Sequence, residues 1–293
     1  MTAEATQTRA TSVAPRRDWR RTLRVGRLTT YFVLIVAAIF YVIPVYLLFM
    51  TGLKGFAEAN NQALMWKFPT AANLGSFEEA WRTISPNFIN SVRIAVPAAL
   101  ISSAIGSING YILSKWRFAG SETIFTLILF GMFIPYQAIL IPLFQVESAL
   151  RLYGSVEGVV LAHVIYGIPI TTLIFRNYYV AIPEELVEAA KVDGASFFGI
   201  YRHILLPLSV PGFVVVLIWQ FTSAWNDFLF GSLLTRQTNW PITVAVNNLA
   251  GSFQVAWNVQ MAGALIAAIP TLLIYVLLGR FFMRGLLAGS LKG

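Results

Sequence analysis

Six apolar stretches, each close to the length of a bilayer span, constrain this chain more than any other feature of its sequence. A helix crosses about 30 Å of hydrocarbon with roughly 20 apolar residues, because each residue adds about 1.5 Å. The stretches cover approximately residues 28–50, 88–113, 124–144, 159–175, 208–230 and 262–282. They predict an all-α integral membrane protein with six transmembrane helices.

Composition narrows the classes of function. Of the 293 residues, 57% are hydrophobic and 12% are charged, whereas soluble domains average about 25% charged residues. The sequence contains no cysteine, which excludes disulfide scaffolds, thiolate metal sites and cysteine nucleophiles. No paired acids or metal-ligand cluster fall inside the apolar stretches. We therefore predict no catalytic residue and no metal site, and a membrane enzyme is disfavoured.

The placement of positive charge predicts the topology. Fifteen of the Lys and Arg residues fall in the two ends and in the second and fourth segments between spans, against five in the other segments. The positive-inside rule therefore places both termini in the cytoplasm of a multi-pass bacterial cell-membrane protein. The net charge of +8 is thus a topology signal and does not indicate nucleic-acid binding. We predict a mostly disordered basic tail over 1–27, a membrane domain over 28–284 and a cytoplasmic tail over 285–293.

Polar side chains inside the apolar stretches are candidates for a solute path, because they are costly to expose to lipid. Gln137 follows a kink expected at Pro135, and the aromatic face of Trp225 adjoins hydrogen-bonding groups, a combination that suits a sugar. Hydrogen bonds between helices, or an interfacial aromatic belt for Trp225, remain alternatives. His163 is expected to be a packed polar residue. The predicted path residues are Gln137, Gln220, Trp225, Asn226 and Asp227.

A polar segment of thirty-two residues, 176–207, separates the fourth and fifth stretches. Proline at the first helical position, Pro183, and the acids Glu184 and Glu185 at the positive end of the dipole predict a helix start. The helix is expected to end at Asp193-Gly194, where glycine can adopt the left-handed conformation.

A second helix is predicted to follow within the same segment. Ser196 is a good N-cap, and Phe197, Ile200 and Ile204 share one apolar side at helical spacing. Pro207 then marks the turn into the fifth span.

The first of these two helices has the properties of a docking element. Leu186, Ala189 and Ala190 are predicted to share one face, and small alanines let the wall of a partner's groove approach closely. A helix lying on the membrane surface is the alternative, but an anionic leaflet would repel its acids. These acids are Glu184, Glu185, Glu188 and Asp193.

The spacing of residues in this segment resembles a known signature. Glu188-Ala189-Ala190, three residues, Gly194, nine residues and Ile204-Leu205-Leu206-Pro207 are similar to the EAA motif of binding-protein-dependent ATP-binding-cassette importer permeases. Residues 182–186 and 193–195 look like the carbohydrate-uptake branch of that family. The end of the chain, 284–293, resembles the maltose-permease G-type subunits, and 257–263 resembles glucose/mannose-type permeases. We refer to 176–207 as the EAA loop.

The resemblance implies a type I importer permease fold and a set of partners. Such a six-helix subunit forms half of a heterodimeric pore with a second permease subunit. Its EAA loop contacts one subunit of an ATPase dimer, which binds ATP and Mg²⁺, and an extracytoplasmic sugar-binding protein delivers the substrate. The residues implied in ATPase coupling are Glu184, Glu185, Leu186, Glu188, Ala189, Ala190, Asp193, Gly194, Ile204 and Pro207.

The resemblance also suggests other contacts. The outer segment 231–260 would contact the binding protein through Trp240, Asn247, Asn248 and Trp257, and the tail over 285–293 would reach between the ATPase subunits. The expected substrate is a monosaccharide such as glucose or mannose, or an α-glucoside or oligosaccharide.

The chain is not expected to hydrolyse ATP or to carry a cofactor, because its sequence lacks the GxxxxGK[ST] loop that cradles phosphates. The alternative is an ATP-independent secondary sugar transporter or channel. That class would predict inverted repeats and intramembrane acids, and neither is evident.

Overall fold

A computed structural model describes residues 19–116, 118–249 and 255–290, with side chains described over 27–116, 118–249 and 255–279. These residues are mainly helical and contain no β-strand. The α-helices are α1 Trp19–Gly52, α2 Phe56–Ala59, α3 Gly75–Lys115, α4 Ser121–Phe130, α5 Tyr136–Ala149, α6 Val156–Val180, α7 Glu184–Val192, α8 Phe197–Ile200, α9 Leu206–Leu208, α10 Val210–Trp225, α11 Leu229–Leu234, α12 Ile242–Asn248 and α13 Trp257–Ser290.

Short non-α turns connect several of these helices. Three are 3₁₀ turns, at Gln62–Leu64, Gly131–Phe133 and Gln237–Asn239, and one is a π-helical turn at Tyr201–Leu205.

The chain divides into two units, one up to Leu47 and one from Leu48 onwards. The described part of the first unit belongs to α1, which begins at Trp19. Residues 19–27 of the predicted disordered tail are therefore helical, and residues 1–18 lie outside the described residues. The second unit contains α2 to α13.

Four described helices are long and apolar enough to cross a membrane, and the number rises to six if each of two bent pairs counts as one span. The four spans are Arg27–Gly52, Gly75–Lys115, Val156–Val180 and Trp257–Gly279. The bent pairs are Ser121–Phe133 with Tyr136–Ala149, at 102°, and Phe197–Leu208 with Val210–Trp225, at 77°.

The third and fifth stretches are not continuous helices: a kink was expected at Pro135, and the breaks are sharper than a kink. In the third, Ile134 adopts an extended conformation before Pro135, as steric contact with a proline ring favours. In the fifth, α10 ends at Trp225. The Asp227 carboxylate then accepts hydrogen bonds from the N–H groups of Phe230 and Gly231, which start a new helix.

Helices α3 and α6 pack closely because small residues line their contact. A Cβ added at Gly106 would lie 2.8 Å from the Thr171 carbonyl carbon, and one added at Gly110 would lie 2.7 Å from the Arg176 nitrogen. The Thr171 hydroxyl donates to the Ser102 carbonyl oxygen across the contact, at 3.0 Å. The hydrophobic effect does not drive helices together within lipid, so close packing has to do so, and small residues permit it. α3 also packs against α10 and α13.

Candidate functional site

The first helix of the EAA loop, α7, begins and ends close to its predicted limits. Its first helical residue is Glu184, so Pro183 occupies the N-cap and not the first helical position. Gly194 has a φ of +80°, the left-handed conformation expected at this helix end. The backbone N–H of Ala195 donates to the Ala190 carbonyl at 2.9 Å and closes the cap.

The faces of α7 differ from the prediction. Val187 and Ala190 point into this chain's own core, whereas Leu186 is 46% exposed and Ala189 is exposed. Leu186, Ala189 and Ala190 therefore do not form one docking face. The reason is that Val187 and Ala190, about one turn apart on α7, both belong to the buried core that includes Phe175.

The side of α7 that faces away from the core carries acidic residues and two large apolar side chains. Its exposed acids are Glu184, Glu185, Glu188 and, at the C-cap, Asp193. Leu186 and Val192, which is 87% exposed, lie among them. We call these six residues together with Ala189 the acidic face.

The second part of the EAA loop contains a shift in helical register. Ser196 caps α8 as predicted, accepting a hydrogen bond from the Gly199 N–H at 3.2 Å. The next buried residue after Ile200 is Leu205, and Ile204 is only partly buried. The π-helical turn causes this difference, because its wider spacing turns Leu205 towards the core. Pro207 is exposed in α9, just before the bend.

Hydrogen bonds attach the EAA loop to α3. The Ser107 hydroxyl on α3 bonds with the hydroxyls of Tyr179, at 2.6 Å, and Tyr201, at 2.9 Å. Tyr179 also donates to the Ser209 hydroxyl at 3.2 Å. Lys115 at the end of α3 donates to the Ile182 carbonyl at 2.6 Å. Both ends of the loop are thus fixed to α3.

Sequence reasoning missed these attachment residues. In the sequence, Lys115 is one of the positive charges that predict the membrane topology, and nothing else distinguishes it. Ser107 lies among other small residues of an apolar helix. Their polarity near the ends of spans was the only available signal.

A polar cavity of about 190 Å³ lies where the two interrupted helix pairs meet α6. It opens between the start of α5, the middle of α6 and the end of α10. Its polar lining residues are Tyr136, His163, Tyr166, Gln220, Ser223, Asn226 and Asp227.

Three of the five predicted path residues line this cavity: Gln220, Asn226 and Asp227. Gln137 is exposed outside the lining. Trp225 is only 1% exposed; its indole N–H donates to the Ala267 carbonyl at 2.9 Å, and its ring packs against Phe88. The aromatic face expected to be open to a sugar is therefore covered, because the last turn of α10 directs it towards α3 and α13.

His163 is packed, as expected, with 7% of the residue exposed, but it is not isolated as the sequence suggested. It lines the cavity, and its Nε2 lies 3.6 Å from Oδ2 of Asp227. Nε2 is buried without a hydrogen-bond partner. The pair escaped sequence reasoning because its members lie on different helices, far apart in the chain.

The residues predicted to contact a binding protein lie before α12, at its end and at the start of α13. Asn247 and Asn248 are exposed at the end of α12, and Trp257 is exposed at the start of α13. Trp240 is half-buried, with its carbonyl accepting hydrogen bonds from Asn87 and Asn90. Residues 250–254, between these groups, lie outside the described residues. Over the parts of the chain with assigned positions, no cluster of His, Asp and Glu could hold a metal ion.

Long apolar helices, two helix breaks at a polar cavity and a polar loop bonded to α3 are features of a multi-pass membrane transport subunit. A family model described as "binding-protein-dependent transport system inner membrane component" matches residues 106–286. The chain belongs to this family, which confirms the family predicted from the EAA motif.

Individual relatives agree with this assignment. A probable ABC transporter permease protein of Pyrococcus horikoshii is 56% identical over 174 residues, which are 59% of this chain and 63% of that protein. The glucose import system permease protein of Saccharolobus solfataricus is 32% identical over 273 residues, covering 90% of this chain and 95% of the relative. These proteins are permeases, so the chain is a transporter subunit and not an enzyme.

A solved structure supports the fold. A chain of a bacterial ABC transporter that imports the acidic polysaccharide alginate superposes with a TM-score of 0.78. The match covers 93% of this chain and 100% of that chain, at 18% sequence identity.

Proposed function

We propose that this chain is the membrane-spanning permease of an ATP-driven sugar importer. The observation that carries the proposal is the acidic face of α7, which projects from a loop that buried hydrogen bonds fix to α3. An exposed helix with such a firm attachment suits a docking element that transmits force.

The partners follow from the family, and the predicted topology assigns each of them to one side of the membrane. The EAA loop lies on the cytoplasmic side, where its acids contact a groove of a separate ATPase dimer that binds ATP and Mg²⁺. A second permease subunit completes the path, and an extracytoplasmic binding protein delivers the sugar to the side of Trp240, Asn247, Asn248 and Trp257. Charge-assisted contacts from Glu188 give the docking its strength.

The mechanism is a rigid-body movement. Closure of the ATPase dimer around ATP draws the two EAA loops of the pore together. Because Ser107 and Lys115 join this loop to α3, the helix follows the loop and does not bend away from it. The free energy comes from the higher affinity of ATP for the closed state.

The polar cavity and the name of one relative both support a sugar as the substrate. The Saccharolobus relative is named as a glucose importer component, and the cavity presents amide, carboxylate and hydroxyl groups from Gln220, Asp227 and Tyr166. The substrate is a monosaccharide such as glucose or mannose, or an α-glucoside or oligosaccharide.

Reconstitution tests the proposal. The tagged chain is purified from its own cells, and the co-purifying chains are identified and placed in proteoliposomes with the soluble binding protein. We expect a second permease and a P-loop ATPase, with uptake of labelled D-glucose, D-mannose or maltose that requires both ATP and the binding protein. Sugar uptake by the chain alone, without ATP, would instead identify an ATP-independent transporter.

A further inference from the structure

Two helix interruptions meet at the polar cavity. The turn at Gly131–Phe133 and Pro135 precedes Tyr136, and the break after Trp225 contains Asp227. Tyr136 follows the first break and Phe230 follows the second, and the centroids of their rings are 5.4 Å apart. Non-helical backbone at membrane depth is tolerated where it is buried in protein or lines a water-filled cavity. The cavity therefore provides the polar surroundings that these helix breaks require within a membrane.

Asp227 is held rigidly in this cavity. Its carboxylate accepts hydrogen bonds from the Gly231 N–H, at 3.0 Å, and from the Phe230 N–H, at 3.4 Å. Its backbone carbonyl also accepts a hydrogen bond from the Thr243 hydroxyl, at 2.5 Å. These contacts fix the carboxylate without using all of its lone pairs.

His163 faces this carboxylate but makes no hydrogen bond with it. The side chain of His163 is 8% exposed, and its Nε2 lies 3.6 Å from Asp227 Oδ2 without any hydrogen-bond partner. A buried polar atom of this kind is costly unless a ligand or water completes its bonding. A hydroxyl group placed beside both side chains accepts from an Nε2–H and donates to Oδ2, which an apolar group cannot do.

The rest of the cavity suits a sugar ring. The rings of Tyr136 and Tyr166 pack edge to face, with centroids 4.5 Å apart, and give the cavity an aromatic wall. The Gln220 amide is held by its hydrogen bond to the Ser102 hydroxyl, at 3.1 Å. The cavity volume of about 190 Å³ is comparable to that of a single pyranose ring.

We infer that this cavity is a sugar-binding subsite of this subunit, in which His163 and Asp227 together bind one hydroxyl of a single pyranose ring. The inference rests on the proposed function, because it takes the transported solute to be a sugar. It adds that this chain selects the solute within the membrane, in addition to any selection by the binding protein.

The test compares sugar analogues in the reconstituted importer. Initial uptake rates are measured with saturating binding protein for the transported sugar and for its monodeoxy analogues. The first variant, His163→Phe, keeps an aromatic ring but loses both ring nitrogens. The second, His163→Gln, keeps a side-chain N–H that can donate a hydrogen bond. Thr222→Val is the control, because Thr222 also buries an unpaired hydroxyl on α10 but does not line the cavity.

For the parent sugar, His163→Phe is expected to lower the uptake rate about tenfold, as for a lost hydrogen bond in a buried site. For one monodeoxy analogue the same substitution is expected to have little effect, because the hydroxyl that His163 binds is already absent. His163→Gln should recover part of the rate, and Thr222→Val should behave as the wild type. The binding protein is the same in every comparison, so its own selectivity cancels.

Equal losses for every analogue would assign His163 a purely structural role and overturn the inference. Unchanged uptake by His163→Phe would also overturn it. If the wild-type importer transports no sugar, the proposed function fails, and the assignment of the cavity to a sugar fails with it.

Discussion

Reversing the charge of Glu188 is expected to reduce ATP-driven uptake at least about tenfold, because losing one partner of a buried interfacial charge pair commonly costs about 2–5 kcal/mol. Glu188 is exposed on the acidic face, so Glu188→Lys should leave insertion and folding unchanged. Among the described residues, Glu188 forms no ion pair with Lys191, which lies about one turn further along α7. The Lys191 ammonium instead lies over the Trp116 ring, 5.2 Å from its centroid.

The measurement is uptake into proteoliposomes, together with the amount of ATPase that co-purifies. Glu79→Lys is the matched control, because Glu79 is likewise an exposed helical glutamate but lies on α3, outside the EAA loop. Wild-type uptake by Glu188→Lys would show that the acidic face does not dock the ATPase through this residue.

Gly194→Val is expected to abolish most uptake by changing the conformation at the end of α7. A left-handed residue with a side chain costs about 1–2 kcal/mol, and a β-branched side chain is the least suited to it. An added Cβ at Gly194 would meet nothing within 4 Å. Any loss therefore comes from backbone conformation and not from a steric clash.

Two further variants separate conformation from charge. Gly194→Asn should retain most uptake, because asparagine tolerates the left-handed region. Gly194→Asp adds a negative charge beside the acidic face and should uncouple ATP hydrolysis from transport while membrane insertion persists. The readout is the number of ATP molecules hydrolysed per sugar transported. Normal coupling in Gly194→Val would contradict a role for this helix end.

Local features of the EAA loop could be predicted well because they depend on neighbouring residues. The limits of α7, the left-handed Gly194 and the Ser196 cap all follow from capping chemistry within a few residues. The apolar stretches were likewise identified from length and hydropathy alone.

Features that depend on tertiary packing could not be predicted. Whether Ala190 faces a partner or its own core depends on where Phe175 lies, and no local pattern encodes this. The register shift at Leu205 and the covering of Trp225 are similar cases. The His163–Asp227 pair depends on the contact of α6 with the break after α10. Three of the polar residues singled out inside spans line the cavity, but the side chains that they face could not be predicted.

The central claim is that the acidic face of α7 docks on an ATPase in the cytoplasm, and site-directed cross-linking tests it most directly. The chain has no cysteine, so Leu186→Cys introduces a unique thiol at an exposed position of that face. In inside-out membrane vesicles, a short thiol–amine cross-linker should join this thiol to the ATPase subunit, with a yield that changes when ATP is added. Labelling of the thiol by an impermeant reagent only from the external side, or no cross-link to the ATPase in the assembled importer, would contradict the account.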